Sequence, residues 1–393
     1  MSLTSMPVSE RLHIGFFGCR NAGKSSLVNA ISGQNLSIVS DKKGTTTDAV
    51  KKTMELLPLG PVVIIDTAGF DDVGELGNLR VEKTLEVLRK TDIAVLVVDS
   101  RFGLQKADKD LINLFNKNNI PFIVAYNKCD ILNEKPNIEQ VYTSIYVSSL
   151  KGDNIYELKE LLGKFAHKKV NKFIVGDLLN VGDIVILVIP IDESAPKGRL
   201  ILPQHQTIRE LLDFHCVPIC CQVEELDSLL KKFSPKLVIT DSQAFCEVKK
   251  IVPENIYLTS FSILMARYKG EIKSLMSGAE TLKKLKDGDK VLISEGCTHH
   301  RQCNDIGSVK IPMWLKNYTG KSLNFSFSSG GEFPENIKNF ALIVHCGGCM
   351  LNEQEMKARI KLAQDLNVPI INYGVLIANI NGILERSLKF LKK

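Results

Sequence analysis

The chain is 393 residues long, 44% hydrophobic and 24% charged, with a net charge of +6 at pH 7. That length exceeds one ordinary domain and predicts two or three, each of roughly 100–200 residues with its own core. The composition is that of a soluble globular protein, no apolar run approaches the roughly 20 residues of a membrane span, and the modest charge makes no case for a nucleic-acid or membrane partner.

The first residues, MSLTSMPVSERLHIGFFG, lack the basic segment, apolar core and small-residue cleavage site of an export signal, so a cytoplasmic location is expected. In a reducing compartment the ten cysteines are not a disulfide framework, which leaves metal ligation, catalysis or burial. LHIGFFGCRNAGKSSLVNAISG then reads as a strand, a glycine-bearing loop and an amphipathic helix. Gly18, Gly23, Lys24 and Ser25 fit the phosphate-loop pattern GxxxxGKS, with Asn21, Ala22 and Ser26 completing the loop. Its backbone N–H groups wrap phosphates, Lys24 neutralises the β and γ oxygens, and the Ser25 hydroxyl ligates Mg2+.

KKGTTTDAV supplies Thr46 as the magnesium-sensing threonine, with Thr45 and Thr47 as alternatives. PVVIIDTAG places Asp66 at the end of a buried strand, where its carboxylate reaches magnesium through water, and leaves Gly69 free to turn toward a γ-phosphate. PFIVAYNKCD ends another apolar strand with Asn127, Lys128 and Asp130, and SIYVSSLKG follows with Ser148 and Ser149. Guanine offers two adjacent N–H donors to the Asp130 carboxylate, whereas adenine presents an acceptor at N1. Four elements in this order predict a domain at residues 1–171 that binds GTP or GDP.

These elements resemble the TrmE, Era and HydF group of GTPases. Phe70 follows DTAG where Ras-like proteins carry the glutamine that positions water. Asn21 matches the asparagine that coordinates K+ in potassium-activated members, so the resemblance implies slow hydrolysis stimulated by K+, with Lys24, Thr46 and Asn21 as catalytic groups. A plain turn preference is the alternative account of Asn21.

Residues 172–262 predict a small α/β unit: a strand at DIVILVIPI, a helix around TIRELLDF, a strand at VPICCQV, a helix at ELDSLLKKF and a strand at KLVIT. Cys216, Cys220 and Cys221 lie beside His215, yet the β-branched run VPICCQV reads as a buried strand in which cysteine is a small hydrophobe.

In residues 263–393, KVLISEGCTHH is a strand running into Cys297 and His299, and NFALIVHCGGC is another running into His345, Cys346 and Cys349. Helices follow near DIGSVKIPMWLKNYTG and NEQEMKARIKLAQDLN, with Trp314 as helix packing. Alternation of strands and helices predicts a parallel sheet, whose ligands gather beyond the carboxyl ends of its strands, so both cysteine groups can face one cavity. The expected fold class is therefore α/β: a P-loop GTPase followed by a small α/β domain and a parallel-sheet α/β domain.

CTHH joined to HCGGC resembles the iron–sulfur motif of the HydF family, the GTPase maturases of FeFe-hydrogenase, and with the upstream elements the resemblance covers essentially the whole chain. It implies a dimerisation domain at 172–262 and a 4Fe–4S cluster on Cys297, Cys346 and Cys349, with His299 and His345 as candidates for the fourth ligand or for the residues that support the ligands, and with Cys303 as a spectator in preference to a fourth ligand. It also implies a homodimer that takes a diiron precursor from radical S-adenosylmethionine maturases and passes it to apo-hydrogenase. His300 reads as a polar loop residue. Zinc on three thiolates and one imidazole is the inorganic rival. An RNA-associated GTPase with a zinc module and a redox enzyme are the competing functions, the first lacking a KH-type GxxG and the second any flavin or nicotinamide fingerprint.

Overall fold

The computed structural model describes residues 6–33, 50–67, 83–134, 141–167, 172–191, 198, 200–270, 272–297, 305–331, 333–334 and 336–392. Thr45, Thr46, Thr47, Gly69, Phe70, His299, His300 and Cys303 lie outside them. The chain divides into two compact units, Met1–Val170 and Asn171–Lys393.

The first unit is built on a six-stranded sheet of order β2-β3-β1-β4-β5-β6. Its strands are β1 (Leu12–Phe17), β2 (Val50–Leu56), β3 (Gly60–Asp66), β4 (Ile93–Asp99), β5 (Phe122–Asn127) and β6 (Ser144–Tyr146). β2 pairs antiparallel with β3, and every other pairing is parallel. The run IAVLVVD of β4 is buried through six of its seven residues, as a central parallel strand covered on both faces must be. Leu27, Val28 and Ile31 of the helix Lys24–Ser32, with Leu158 and Leu162 of the helix Ile155–His167, pack on Ile14 and Phe16. On the other face Leu111, Ile112 and Phe115 of the helix Lys106–Lys117 pack on Phe17, Val63 and Leu96.

The second unit holds two four-stranded parallel sheets. One is β10-β9-β7-β8, from β7 (Ile184–Val188), β8 (Val217–Cys221), β9 (Leu237–Thr240) and β10 (Tyr257–Ser260). The other is β12-β11-β13-β14, from β11 (Lys290–Glu295), β12 (Asn324–Ser329), β13 (Leu342–His345) and β14 (Ile370–Asn372). Between them in sequence lies the helix Phe261–Lys269, inside which the division expected at 262–263 falls. Trp314 packs, half-buried, against the unit's apolar core.

The buried-strand reading of VPICCQV needs correction. β8 is an edge strand: Val217 is 47% exposed and Cys220 is exposed, while Cys216 is buried and Cys221 half-buried. An apolar run of this length does not distinguish the centre of a parallel sheet from its edge, where only one side has a neighbour.

The segment that opens the second unit is bracketed by side chains. The Glu210 carboxylate accepts the N–H groups of Ile174, Val175 and Gly176, each at 2.8 Å. On the other side, Arg267 donates to the carbonyls of Phe173 and Ile174 and pairs with Asp177.

Candidate functional site

Three strand ends and one helix start meet in the first unit. β1 lies between β3 and β4, so the loop after it sits where the Asp66 and Asp99 strand ends flank it. Gly18 and Gly23 both have positive φ, 139° and 93°, and neither has room for a side chain. A Cβ on Gly18 would stand 2.2 Å from the Val97 carbonyl oxygen, and one on Gly23 2.3 Å from Asn127 Nδ2. Gly23 is also the N-cap of the helix Lys24–Ser32 and offers no side-chain cap, which leaves the first-turn N–H groups for an anion.

Lys24 is buried, and its Nζ donates to the Gly18 and Cys19 carbonyls at 3.0 and 2.9 Å, inside the loop that would hold phosphates. The Ser25 hydroxyl donates to Asp66 Oδ2 at 2.6 Å. The two magnesium-seeking oxygens are therefore already in contact. Burial raises the Asp66 pKa against the opposing pull of Ser25 and Lys24, a strain that a bound cation relieves. Ala22 is buried under the loop, and Ser26 is exposed.

Two of the residues expected to recognise the base, Asn127 and Lys128, join the same loop. Asn127, fully buried, donates through Nδ2 to the Ala22 carbonyl at 3.1 Å and accepts from Ser149 N at 3.0 Å. Lys128 Nζ donates to the Asn21 carbonyl at 2.6 Å. Asp130 accepts the Ser148 hydroxyl at 2.6 Å, a bond that lowers its pKa and fixes its carboxylate as an acceptor. Asn21 is exposed with φ of 60°, a left-handed conformation that asparagine tolerates better than most residues.

One residue of this site escaped the motif reading. Asp99, at the end of β4, receives Lys128 Nζ at 2.7 Å and Arg101 Nη2 at 2.6 Å, and the Arg101 bond, followed by that of Lys128, holds its carboxyl far below the usual range. Its signal was present: VLVVDS ends an apolar strand on a carboxylate just as VVIIDT does.

In the second unit, β11 and β13 are adjacent and parallel, with Ser294 opposite His345. Cys297 follows one strand end, and Cys346 and Cys349 follow the other. The register puts the Gly296 N–H 3.0 Å from Cys346 Sγ, and the Gly348 N–H adds a second bond at 3.3 Å. Gly348 takes φ of 64° to make that turn. Cys346 and Cys349 stand close enough to Cys297 to raise its pKa, and Cys349 close enough to Cys346 to do the same. Burial, with Cys346 and Cys349 beside it, pushes Cys297 up to about 12, and burial pushes Cys346 up to about 11. Thiols so reluctant to ionise alone become thiolates when a cation shares their space, and N–H donors aimed at sulfur suit a metal-bound thiolate. Among the described residues no three His, Cys, Asp or Glu side chains close on a single metal ion.

His345, a candidate fourth ligand, is placed otherwise. Its Nδ1 bonds the Cys346 carbonyl at 2.8 Å and its Nε2 faces Arg359 Nη1 at 3.1 Å. Burial, with the Arg359 charge beside it, keeps the imidazole neutral, its pKa lowered to about 3. Both nitrogens are engaged in hydrogen bonds, so His345 as placed here supports the Cys346 backbone. Buried Glu295 completes the surroundings, accepting the Tyr373 hydroxyl at 3.2 Å.

Comparisons with known proteins follow this division. The family model for the 50S ribosome-binding GTPase matches residues 13–128, that for the hydrogen maturase F dimerization domain residues 174–270, and that for the hydrogen maturase F tetramerization domain residues 273–390. GTPase Der of Kosmotoga olearia is 33% identical over 177 residues, covering 40% of this chain and 40% of its own. The tRNA modification GTPase MnmE of Nitrosomonas europaea is 30% identical over 167 residues, 42% of this chain and 37% of its own. The MnmE of Carboxydothermus hydrogenoformans reaches 40% identity over 124 residues, 31% and 26% of the two chains. The chain thus spans two fifths or less of the length of these relatives. Among the described residues no helix is long and apolar enough to cross a membrane.

Proposed function

From a chain that belongs to the hydrogen maturase F family, whose two domain models together match more than half of it, we propose a cytoplasmic FeFe-hydrogenase maturation GTPase that acts as scaffold and carrier. The observation that carries this is that Cys297 follows the end of β11 and Cys346 and Cys349 follow the end of the adjacent β13, in a chain whose other unit gathers Lys24, Ser25, Asp66 and Asn127 around one glycine-bearing loop. Dimerization and tetramerization domains make a homo-oligomer the acting form.

In the first unit Lys24 exchanges its two carbonyl partners for the β and γ phosphate oxygens of GTP. Ser25 and Asp66, which now hydrogen-bond each other, would hold Mg2+ through the Ser25 hydroxyl and the Asp66 carboxylate, the ion supplying charge neutralisation to the phosphates. Thr46 and Gly69, which lie outside the described residues, are the proposed contacts of the γ-phosphate side. Asn127 and Lys128 hold the loop, and Asp130 reads the base with Ser148 and Ser149 behind it. Hydrolysis is slow, and Asn21 would hold a K+ ion, whose charge would supply electrostatic stabilisation beside the phosphates. GTP turnover is expected to run about tenfold faster in KCl than in NaCl. Equal rates in the two salts would leave Asn21 a turn residue only.

In the second unit Cys297, Cys346 and Cys349 would hold a 4Fe–4S cluster, with Gly296 and Gly348 donating to Cys346 and Arg359 fixing His345. Such a cluster, when bound, offers its fourth iron to an exchangeable ligand, the place for a diiron precursor as cargo. His299 and His345 are the candidate histidines for that position. Radical S-adenosylmethionine maturases supply the cargo, and apo-hydrogenase receives it. The test is anaerobic reconstitution of the whole chain with iron and sulfide, followed by EPR of the reduced protein and assay of apo-hydrogenase activation. A colourless protein that retains zinc instead would overturn the proposal.

A further inference from the structure

Two basic side chains on the helix Phe261–Lys269 reach segments that are far apart in sequence. Arg267 Nη1 donates to the Phe173 and Ile174 carbonyls at 2.7 and 3.0 Å and to Asp177 Oδ1 at 3.0 Å, and Nη2 reaches Asp177 Oδ2 at 2.5 Å. Lys269, 2% exposed, donates to the carbonyls of Gly348, Cys349 and Leu351 at 3.4, 3.0 and 2.8 Å. The first segment opens the second unit, immediately after the unit that ends at Val170. The second is the loop that carries Cys346 and Cys349.

Residues two apart on a helix lie about 200° apart around its axis and about 3 Å apart along it. One rod can therefore hold a different segment on each side. This rod is firmly seated. Ser260 caps it by accepting from Ile263 N at 3.2 Å, and its apolar residues enter three distinct clusters. Ile263 packs with Val238 and Leu376, Phe261, Leu264 and Met265 with Val175 and Leu187, and Ala266 with Leu275 and Ile360. A helix so embedded moves as one piece or not at all. A more exposed ion pair, Lys172 to Glu353 at 2.8 Å, ties the same two regions again, at the helix that follows the cysteine loop.

We propose that this helix couples the nucleotide state to the cysteine loop, with Arg267 its contact to the segment that opens the second unit and Lys269 its contact to the backbone carbonyls of the cysteine loop. The proposal rests on the reading that the first unit binds guanine nucleotides. The experiment uses the full chain, metal-free and reduced, and follows alkylation of Cys349 by iodoacetamide with peptide mass spectrometry, in GDP and in a non-hydrolysable GTP analogue. The two rates are expected to differ about fivefold in the unaltered chain, a coupling of ~1 kcal/mol at 25 °C. Arg267→Met, which removes no contact to the cysteine loop, is expected to bring them together, as is Asp177→Asn from the other side of the same bond. Arg386→Met removes an arginine that similarly holds backbone carbonyls, those of Val252 and Pro253, and is expected to preserve the difference. The coupling is overturned if Arg267→Met and Asp177→Asn keep the fivefold difference, if Arg386→Met erases it too, or if the unaltered chain binds both nucleotides by calorimetry yet shows one rate. If neither nucleotide binds, the guanine-nucleotide reading itself falls, and the coupling with it.

Discussion

Cys346→Ser is expected to leave the reconstituted protein with less than about a tenth of its cluster iron and no thiolate-to-iron absorption, while Cys220→Ser loads fully. The contrast follows from where the two sulfurs lie. Cys346 receives the Gly296 and Gly348 N–H groups and shares its surroundings with Cys297 and Cys349. A serine hydroxyl is shorter, harder and far less acidic, so it supplies neither the charge nor the softness that iron–sulfur ligation requires. Cys220 sits exposed on the edge strand β8, in the other sheet. Iron content and absorption, with circular dichroism to show that both variants fold, are the measurements. Full loading of Cys346→Ser would remove the cysteine assignment.

Asp130→Asn is expected to weaken GTP binding by about a thousandfold and to raise the affinity for xanthosine nucleotides. The Asp130 carboxylate is an acceptor on both oxygens, one of them fixed by the Ser148 hydroxyl at 2.6 Å. Guanine meets it with two N–H donors. An asparagine amide turns one acceptor into a donor, which repels the guanine amino group and suits the carbonyl that xanthine carries at the same position. Displacement of a fluorescent nucleotide gives both affinities. Simple misfolding would weaken both nucleotides together, so a gain for xanthosine is the decisive sign.

Much of the nucleotide site could be read from the chain because each of its parts closes an apolar run: Asp66 after VVII and Asn127 after FIVAY are polar residues that a buried strand delivers to its open end. The same logic placed Cys297 and Cys346 together, since β11 and β13 are neighbours in one parallel sheet. Arg267, Lys269, Glu210 and Arg359 were invisible for the opposite reason. A charged residue within a helical pattern reads as solvated, and only the tertiary fold shows Lys269 and Arg359 buried with backbone carbonyls around them. His345 shows a third limit. Its neighbours made it look like a ligand, while the Arg359 guanidinium that occupies its Nε2 comes from 14 residues further on.

The Glu210 carboxylate, filling three consecutive N–H groups at 174–176, has a meaning for how such a chain could be assembled over evolutionary time. Among the described residues, the side chains that hold that entry segment, Glu210, Arg267 and Asp177, all belong to the second unit. A gene fragment beginning there already encodes its own point of attachment, ready to receive whatever domain is spliced ahead of it. A motor unit shared with tRNA-modifying and other GTPases could be joined at such a seam by recombination, without the recipient having to invent a new interface first.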